Sequence, residues 1–451
     1  MNTTQASSTE PFATVTPAPR LRGRLTMPGD KSVSHRALLM ATLASGVSRI
    51  DGAGDGEDVR STASIMRALG ADVERLAEAS GRVDYRVTSP GADGLAEPDI
   101  ILDCGNSGTS LRLITGMLAG LPLTCVLTGD HSLRRRPVAR IIEPLRRMGA
   151  VLHARRGDSL PPLTVVGHTP LAATDYRTPV PSAQVKSAIL LAGLRADGRT
   201  TVREAVATRD HTERMLRARG VSVVREDGPD GGVAWSVQGG TAVQAIDERI
   251  PGDVSAAAFW LVAGAGHPDA DLTLRGVGVN PTRRAVIDIL RRMGADIEET
   301  TLSGPDDGVG EPLADLVVRS SRLTAVDLGP HEVASAIDEI PVLCLAAAVA
   351  HGTTTIRGAG ELRHKESDRI GGVVSGLSAM GARIEVDGDD LRIEGGRPLH
   401  GAATDSLDDH RLAMTFAIAG LLAAGATTID RPGSAAISYP TFFDDLQGVR
   451  A

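Results

Sequence analysis

Lysine is the rarest charged side chain of this sequence, and its positions are the first candidates for chemistry. The chain has 48 basic residues, of which only three are lysine: Lys31, Lys186 and Lys365. A GC-rich codon bias accounts for the many arginines but not for the lysines that remain. Where a reaction needs a compact, titratable ammonium, the planar and always charged guanidinium of arginine is a poor replacement. Each lysine is therefore a candidate functional residue.

Polar residues at the beginnings of six predicted helices form a second group of candidates. These first turns read Gly29-Asp30-Lys31-Ser32, Gly105-Asn106-Ser107-Gly108-Thr109, Pro181-Ser182-Ala183-Gln184, Pro251-Gly252-Asp253, Asp338-Glu339 and Asp408-Asp409-His410-Arg411. Free backbone N–H groups and the helix dipole favour anions at such positions. Ser, Asp and Asn could simply cap the helices. Capping does not require the cations that accompany them, which are Lys31, Arg36, Arg112 and Arg411. A bound anion would neutralise both the cation and the dipole, so the pattern predicts anion sites.

An internal repeat supplies the elements that must position these residues. An apolar run followed by glycine recurs six times, with the glycine at Gly70, Gly149, Gly220, Gly294, Gly381 and Gly448. Each glycine is predicted to end a helix in a left-handed cap, and a strand, a turn and a strand follow. An Ala-rich helix, buried on nearly every side, precedes each of these segments. Six units in 451 residues predict two domains of three units and a cleft between them.

Composition excludes several classes of protein. The net charge of -8 argues against a general nucleic-acid surface, and no apolar stretch is long enough to span a membrane. Residues 1–20 lack the apolar run of a signal peptide and are interpreted as a flexible tail. Cys104, Cys125 and Cys344 are expected to be buried thiols in a reducing compartment, not bridges or metal ligands. A cytoplasmic monomer is the expectation.

Seven ordered blocks carry a resemblance to a known family. They are Pro28-Gly29-Asp30-Lys31-Ser32-Val33-Ser34-His35-Arg36-Ala37-Leu38, Gly105-Asn106-Ser107-Gly108-Thr109-Ser110-Leu111-Arg112, Arg134-Arg135-Arg136-Pro137, Ser182-Ala183-Gln184, Asp338-Glu339, Lys365-Glu366-Ser367-Asp368-Arg369 and Asp409-His410-Arg411. In these blocks the sequence resembles the EPSP synthase family, from about residue 20 to its end. A lone glycine-rich loop would mean little, but seven blocks in order leave little room for coincidence.

The resemblance implies a fold as well as a function. The expected fold is α/β, with two similar domains of three βαβαββ units each around buried parallel helices, an inside-out α/β barrel. The N-terminal lobe would comprise residues 30–250, and the C-terminal lobe residues 21–29 and 251–451. The active site would lie in the interdomain cleft. The reaction would transfer the enolpyruvyl group of phosphoenolpyruvate to the 5-hydroxyl of shikimate 3-phosphate, in the shikimate pathway.

The resemblance also implies roles for particular residues. Shikimate 3-phosphate would be bound by Lys31, Ser32, Arg36, Ser182, Ala183, Gln184, Arg209, Asp338 and Lys365. Phosphoenolpyruvate would be bound by Lys31, Gly108, Arg136, Gln184, Arg369 and Arg411. The catalytic residues would be Lys31, Asp338, Glu366 and Lys365. Lys365 and Arg369, four residues apart, are expected to share a helical face. No cofactor and no metal are expected, because a C–O bond is broken and no phosphoryl group is transferred.

Two positions depart from the pattern of the family, and two alternative functions remain open. Many relatives have lysine where this chain has Ile437, and the position of a second contact serine is Ala183. For Lys186, a contact that supports the site or a salt bridge is favoured over a catalytic role. UDP-N-acetylglucosamine enolpyruvyl transferase shares the fold but uses a loop cysteine, which the block Gly129-Asp130-His131-Ser132-Leu133-Arg134 lacks. A non-catalytic repeat protein that binds anions would need neither Asp338 nor Glu366.

Overall fold

The chain folds into two compact units. The computed structural model describes residues 11–79, 81–228, 231–303 and 307–451. The N-terminal unit contains the described residues of 29–251 together with 307–311, and the C-terminal unit contains the remaining described residues. Residues 307–311 were expected in the C-terminal lobe, with the rest of 251–451. They group with the N-terminal unit, where the Gly310 amide donates to the Arg214 carbonyl at 3.3 Å.

The elements of the N-terminal unit follow the predicted repeat. Its helices are α1 Lys31–Leu43, α2 Glu57–Ala68, α3 Gly108–Ala119, α4 Ala139–Arg147, α5 Arg155–Asp158, α6 Ala183–Gly193 and α7 His211–Ala218. Its strands are β3 Ser45–Gly54, β4 Asp72–Ala79, β5 Arg82–Pro90, β6 Leu102–Asp103, β7 Thr124–Thr128, β8 Val151–Ala154, β9 Leu160–Val166, β10 Leu171–Ala172, β11 Asp175–Arg177, β12 Ala196–Asp197, β13 Arg199–Glu204, β14 Val223–Asp227, β15 Val233–Gln238 and β16 Glu248–Arg249.

The C-terminal unit repeats the same plan. Its helices are α8 Val254–Gly266, α9 Ala285–Arg292, α10 Pro330–Ser335, α11 Ile340–Val349, α12 Arg369–Ala379, α13 His410–Leu422 and α14 Phe442–Gly448. Its strands are β1 Phe12–Val15, β2 Leu21–Thr26, β17 Ala270–Gly278, β18 Asp296–Thr301, β19 Leu313–Arg319, β20 Asp327–Leu328, β21 Thr353–Ile356, β22 Arg383–Asp387, β23 Asp390–Glu394, β24 Ala403–Asp405 and β25 Thr427–Asp430.

Each repeat forms a small mixed sheet. The four-stranded sheets of the N-terminal unit have the orders β16-β3-β5-β4, β6-β7-β9-β8 and β11-β13-β15-β14, and β10 pairs with β12. Those of the C-terminal unit have the orders β18-β19-β17-β2 and β20-β21-β23-β22, and a three-stranded sheet has the order β1-β25-β24. In each four-stranded sheet one edge strand pairs in parallel and the hairpin pairs antiparallel. The predicted α/β fold of repeated units is therefore confirmed.

The Ala-rich helices α1, α3, α6, α8, α11 and α13 line the cores, as their composition predicts. In α8, every residue from Val254 to Ala265 is buried. Such a helix has no polar face, so only its ends can present charged groups to a ligand. This arrangement places the candidate functional residues at helix beginnings.

Five of the six predicted glycine caps are confirmed, and the sixth is wrong. Gly70, Gly149, Gly220, Gly294 and Gly381 have φ of 98°, 102°, 77°, 93° and 96°. Gly448 is instead the last residue of α14, and the next residue, Val449, has φ of -91°. The Val449 carbonyl accepts from the Arg22 amide at 2.9 Å. The chain thus runs directly beside β2, so no left-handed turn is needed.

The prediction of a flexible tail over residues 1–20 is wrong for part of that stretch. Residues 1–10 lie outside the described residues. Strand Phe12–Val15 pairs antiparallel with β25, from Phe12 opposite Asp430 to Val15 opposite Thr427. Val15 is buried, and its side chain lies against Gly420 of α13. The open edge of β25 supplies the backbone partners that a short Thr-rich segment needs.

The remaining predictions from composition concern thiols and membrane spans. Cys104, Cys125 and Cys344 are free and buried, as predicted. Burial raises the pKa of Cys125 to about 12, so the thiol keeps its proton. Among the helices of the described residues, none combines the length and the apolar character needed to cross a bilayer.

The close contact between α3 and α6 is a specific feature that mutation can test. A Cβ atom at Gly116 would lie 2.3 Å from the Ala188 carbonyl oxygen, which is backbone and cannot move aside cheaply. Gly116→Ala should destabilise the N-terminal unit by about 1–3 kcal/mol. It should lower the urea midpoint followed by circular dichroism.

The matched control for this variant is Gly448→Ala. Gly448 is also helical, but a Cβ there would meet nothing within 4 Å. Alanine should be neutral or stabilise the protein by up to about 1 kcal/mol at this position. Equal midpoints for the two variants would contradict the close approach of α3 and α6.

Candidate functional site

The first turn of α1 holds the first predicted cation. The Asp30 side chain caps the helix by accepting from the Val33 amide at 2.9 Å. Lys31, the next residue, forms an ion pair with the buried carboxylate of Asp58, at the beginning of α2. The side chain of Lys31 is about a quarter exposed, whereas that of Asp58 is 3% exposed. Asp58 thus holds the ammonium of Lys31 at the helix beginning, where an anion is favoured.

Arg36 lies one turn further along α1 and is buried. Its guanidinium donates to the Ser32 carbonyl at 2.8 Å, one turn earlier in the same helix. It also donates to Thr212 Oγ1 at 2.7 Å and Ser187 Oγ at 3.0 Å. Burial lowers the pKa of Arg36 to about 10. A buried guanidinium held mainly by neutral oxygens remains strongly attractive to an anion.

The beginnings of α3 and α6 are joined by Arg112 and Gln184. Arg112 donates to Gln184 Oε1 at 2.8 Å and to the Gly108 carbonyl at 3.2 Å. The Gln184 amide in turn donates to Thr109 Oγ1 at 3.0 Å. A Cβ at Gly108 would lie 2.6 Å from the Arg112 guanidinium and 3.5 Å from that of Arg136. Glycine at this position therefore leaves room for both guanidinium groups.

Arg136 approaches the same helix beginning from the segment after α3. Its guanidinium donates to the Asn106 side-chain oxygen at 2.7 Å and to the Asn106 carbonyl at 3.2 Å. The amide of Asn106 is anchored by Asp130 Oδ2 at 2.7 Å. The structure therefore brings Gly108, Arg136 and Gln184 together around α3, as the resemblance implies.

The remaining predicted residues of this unit lie near α6 and α7. Ser182 is the N-cap of α6 and accepts from the Val185 amide at 3.4 Å, and Ala183 is the first helical residue. Arg209 is half-buried in the loop before α7, and its charge lowers the pKa of Arg36 as a minor influence after burial. The side chain of Ala183 can offer no hydrogen bond, so only its backbone could contact a ligand.

Lys186 forms a buried salt bridge, which is one of the two non-catalytic roles expected for it. Its ammonium is 2.8 Å from Glu204 Oε2 and 2.9 Å from Glu213 Oε1, and all three side chains are buried completely. Burial lowers the pKa of Lys186, but the two carboxylates outweigh burial and raise it. Burial also raises the pKa of Glu213. Lys186 is thus a charged structural residue on the helix that carries Ser187, a partner of Arg36.

In the C-terminal unit, the predicted catalytic residues cluster around Asp338. Its Oδ1 atom lies 3.4 Å from the Lys365 ammonium and 3.6 Å from the Arg369 guanidinium. Asp338 and Lys365 are partly exposed, at 18% and 28%. A carboxylate that solvent reaches, beside an ammonium and a guanidinium, places a group able to accept a proton among cations that can bind an anion.

Lys365 and Arg369 do not share a helical face, so this prediction is wrong. The helix α12 begins only at Arg369, because Asp368 caps it by accepting from the Gly371 amide at 3.1 Å. Lys365 ends a preceding 3-10 turn in an extended conformation. The two side chains meet instead at a common partner, Asp338.

Arg369 is fully buried among carboxylates. It donates to Asp409 Oδ2 at 2.8 Å and to Glu366 Oε2 at 2.5 Å. Burial disfavours the charge of Arg369 and would lower its pKa. These carboxylates outweigh the effect of burial and hold the pKa of Arg369 above its usual range. Asp409 is the N-cap of α13 and accepts from the Arg411 amide at 2.9 Å. One carboxylate therefore fixes both Arg369 and the backbone that carries Arg411.

Arg411 contacts Glu339, the N-cap residue of α11. The guanidinium lies 3.3 Å from Glu339 Oε1. Glu339 is also bound by Arg283 at 2.6 and 2.8 Å. Burial would raise the pKa of Glu339, but Arg283 and Arg411 outweigh it and hold the pKa below its usual range. Glu339 is therefore ionised, and it shares its charge between two arginines.

Sequence reasoning missed several partners of the predicted residues. Asp58, Asn106, Arg283 and Asp409 contact Lys31, Arg136, Glu339 and Arg369 respectively. Asn106 and Asp409 were already among the polar helix beginnings, but no contact with a particular residue was predicted for them. Asp58 and Arg283 lie outside every block, so no local pattern marked them. Among the described residues, no group of three or more His, Cys, Asp or Glu could hold a metal ion.

Comparison with known proteins gives concordant matches over nearly the whole chain. The family model "EPSP synthase (3-phosphoshikimate 1-carboxyvinyltransferase)" matches residues 15–446. A 3-phosphoshikimate 1-carboxyvinyltransferase of Gloeobacter violaceus is 50% identical over 437 residues, 97% of this chain and 98% of the relative. One of Citrifermentans bemidjiense is 47% identical over 436 residues, with the same coverage.

Solved structures agree with these matches. EPSP synthase from Acinetobacter baumannii has a TM-score of 0.85 and 40% identity, over 97% of this chain and 98% of that one. The enolpyruvyl transferase NikO from Streptomyces tendae has a TM-score of 0.77 at 21% identity, over 98% and 97% of the two chains. The second likeness concerns the fold alone.

The buried salt bridge of Lys186 generates a stability prediction. Lys186→Met should leave two buried carboxylates without their cation and destabilise the N-terminal unit by about 3–5 kcal/mol. The loss should appear as a lower urea midpoint. The control is Arg199→Gln, which removes an exposed ion pair with Glu226 and should cost at most about 1 kcal/mol. Equal losses for the two variants would contradict the structural role of Lys186.

Proposed function

This chain belongs to the EPSP synthase family, and from that premise we propose that it transfers the enolpyruvyl group of phosphoenolpyruvate to the 5-hydroxyl of shikimate 3-phosphate. The products are 5-enolpyruvylshikimate 3-phosphate and inorganic phosphate. The enzyme therefore acts in the shikimate pathway, which leads to chorismate and the aromatic amino acids. Each substrate carries a phosphate and a carboxylate, so binding requires cations that are fixed before the substrates arrive.

The assignment of the chemistry rests on the residues that surround Asp338. Its carboxylate is held by Lys365 at 3.4 Å and by Arg369 at 3.6 Å, and Arg369 also binds Glu366. Carboxylates among the cations weaken the binding of an anion, so a protein that only binds anions would need them only to hold its arginines in place. An addition followed by an elimination needs groups that accept and return protons.

The proposed reaction has two steps, and its protons balance. In the first step the 5-hydroxyl oxygen bonds to C2 of phosphoenolpyruvate, and Asp338 accepts the hydroxyl proton with the help of Lys365. Glu366 delivers a proton to C3, which gives a tetrahedral intermediate. In the second step the C2–O bond to phosphate breaks, and the proton that Asp338 accepted passes to the departing phosphate. C3 returns a proton to Glu366 as the double bond re-forms. No phosphoryl group is transferred, so the reaction does not require a metal ion to clamp one.

The anion-binding residues of the N-terminal unit fit the substrates. We propose that shikimate 3-phosphate is held by Lys31, Ser32, Arg36, Ser182, Ala183, Gln184 and Arg209. Phosphoenolpyruvate would be held by Lys31, Gly108, Arg136 and Gln184, together with Arg369 and Arg411 of the C-terminal unit. Two observations support this proposal. The guanidinium of Arg36 is buried, and Arg112 and Gln184 are hydrogen-bonded at the beginnings of two core helices.

The experiment that tests this function measures phosphate release by the purified protein. Release should require both phosphoenolpyruvate and shikimate 3-phosphate, and mass spectrometry should identify the enolpyruvyl ether as the second product. Phosphate release from phosphoenolpyruvate alone, or no phosphate release with both substrates present, would contradict the proposed function. Replacing shikimate 3-phosphate with UDP-N-acetylglucosamine should give no product.

Asp338→Asn tests the proposed proton acceptor. The amide preserves the shape of the side chain but cannot accept the hydroxyl proton, so kcat should fall by about 10²–10⁴-fold. The matched control is Asp327→Asn, a change of an exposed aspartate in the same unit, which should keep wild-type kcat. Wild-type turnover by Asp338→Asn would remove Asp338 from the mechanism.

Lys31→Arg tests the first of the retained lysines. The charge is kept, but a planar fork replaces the compact ammonium beside Asp58, so kcat/KM should fall about tenfold or more with the thermal midpoint unchanged. Arg203→Lys, at an exposed ion pair with Asp175, is the control for arginine–lysine exchange and should have no effect. Near-normal activity of Lys31→Arg would show that the lysine is not required there.

We infer further that the enzyme is a monomer that works in the cytoplasm. The acidic and aromatic-poor composition offers little for a partner chain to bind. Buried free thiols suit a reducing compartment. Light scattering should give the mass of one chain, 46.9 kDa, and a larger mass at micromolar concentration would contradict the monomer.

A further inference from the structure

The carboxylate of Glu339 is shared by two arginines of the C-terminal unit. Arg283 binds it with two hydrogen bonds, at 2.6 Å to Oε2 and 2.8 Å to Oε1. Arg411 approaches Oε1 at 3.3 Å. Glu339 is completely buried and Arg283 nearly so, whereas Arg411 keeps 12% of its side chain exposed. Arg411 is therefore the member of this cluster that an incoming anion can meet.

Three separate segments fix the geometry of Arg283. The loop after β17 places Arg283, whose amide donates to the Asn280 carbonyl at 2.8 Å. The guanidinium also donates to Ser255 Oγ, in the first turn of α8, and Ser255 donates to Glu339. The position of the Arg283 guanidinium is therefore set before any ligand binds.

The charges of the cluster explain why Glu339 needs a second arginine. If Glu339 were paired with Arg411 alone, it would neutralise the charge of Arg411. Its carboxylate would then compete with an anionic ligand for that guanidinium. Burial disfavours the charge of Arg283, but Glu339 outweighs it and holds the pKa of Arg283 above its usual range. Both partners of the bidentate pair are thus charged, and Arg283 balances most of the charge of Glu339.

The wider charge balance of the described site points the same way. Its carboxylates are Asp338, Glu339, Glu366 and Asp409, and its cations are Lys365, Arg369, Arg411 and Arg283. These four carboxylates and four cations balance, and Asp253, whose charge also acts on Arg283, adds one further negative charge. Without Arg283 the set would carry a net negative charge before a substrate with two anionic groups arrived, and binding would be opposed.

We propose that Arg283 is a positioning residue for phosphoenolpyruvate: it neutralises Glu339 and thereby leaves the charge of Arg411 available to the substrate. Arg283 itself touches no substrate in this account. The proposal rests on the proposed function, which assigns Arg411 to phosphoenolpyruvate. It adds a residue that lies outside all seven recognised sequence blocks.

Arg283→Gln is the first variant of the test. Its KM for phosphoenolpyruvate, measured at saturating shikimate 3-phosphate, should rise about tenfold or more, because Glu339 then neutralises Arg411. Its kcat and its KM for shikimate 3-phosphate should stay within about threefold of wild type. The matched control is Arg284→Gln, the adjacent arginine, which binds Glu299 at 2.8 Å and should leave all three constants unchanged. An unchanged KM in Arg283→Gln would overturn the proposal.

The double variant Arg283→Gln/Glu339→Gln separates charge balance from structural support. It removes both members of the pair, so Arg411 keeps its charge and KM for phosphoenolpyruvate should return to within about threefold of wild type. A double variant as impaired as Arg283→Gln would mean that Arg283 only supports the fold, and the proposal would be wrong.

Two further variants keep the test decisive. If Arg283→Gln does not fold, Glu339→Gln takes its place: KM for phosphoenolpyruvate should change by no more than about threefold, and a tenfold rise would overturn the charge argument. Arg411→Gln tests the premise. If it leaves that KM unchanged, the assignment of Arg411 fails. If it raises KM while Arg283→Gln does not, only the present inference fails.

Discussion

The structure depends on burying positive charge at the beginnings of apolar helices. The core helices α8 and α11 carry almost no polar side chains along their length, so in them charged groups can lie only at the ends. A cation at a helix beginning opposes the dipole and is costly to bury. Each such cation is therefore held by an acceptor: Lys31 by Asp58, Arg369 by Asp409 and Arg411 by Glu339.

The two units solve this constraint in different ways. In the N-terminal unit the buried guanidinium of Arg36 donates to hydroxyl and carbonyl oxygens, and nearby carboxylates, Glu213 first, only partly offset the lowering of its pKa by burial. In the C-terminal unit carboxylates hold the arginines, and the same kind of group can also move protons. Neutral acceptors suit binding of an anion, whereas ionisable acceptors suit acid–base chemistry.

Local sequence predicted the repeated units well and their edges poorly. Gly70, Gly149 and Gly294 follow apolar helices and turn in the left-handed region, because glycine carries no Cβ penalty there. Gly448 has the same local sequence signal, but the residue after it, Val449, is hydrogen-bonded to the neighbouring strand β2. The Thr-rich segment around Phe12 forms a strand for a similar reason, since its partner β25 lies more than 400 residues away in the sequence.

The sequence by itself determined the fold class, the family and the identity of most candidate site residues. Helix periodicity, glycine caps and the ordered blocks are local signals, and a single chain records them completely. Only the tertiary structure decided which charges balance which. The partners Asp58, Arg283 and Glu213 are ordinary charged residues in sequence, and they acquire their roles by being buried against Lys31, Glu339 and Lys186. Burial makes an unpaired charge costly, and which pairs share a buried volume is settled by long-range packing.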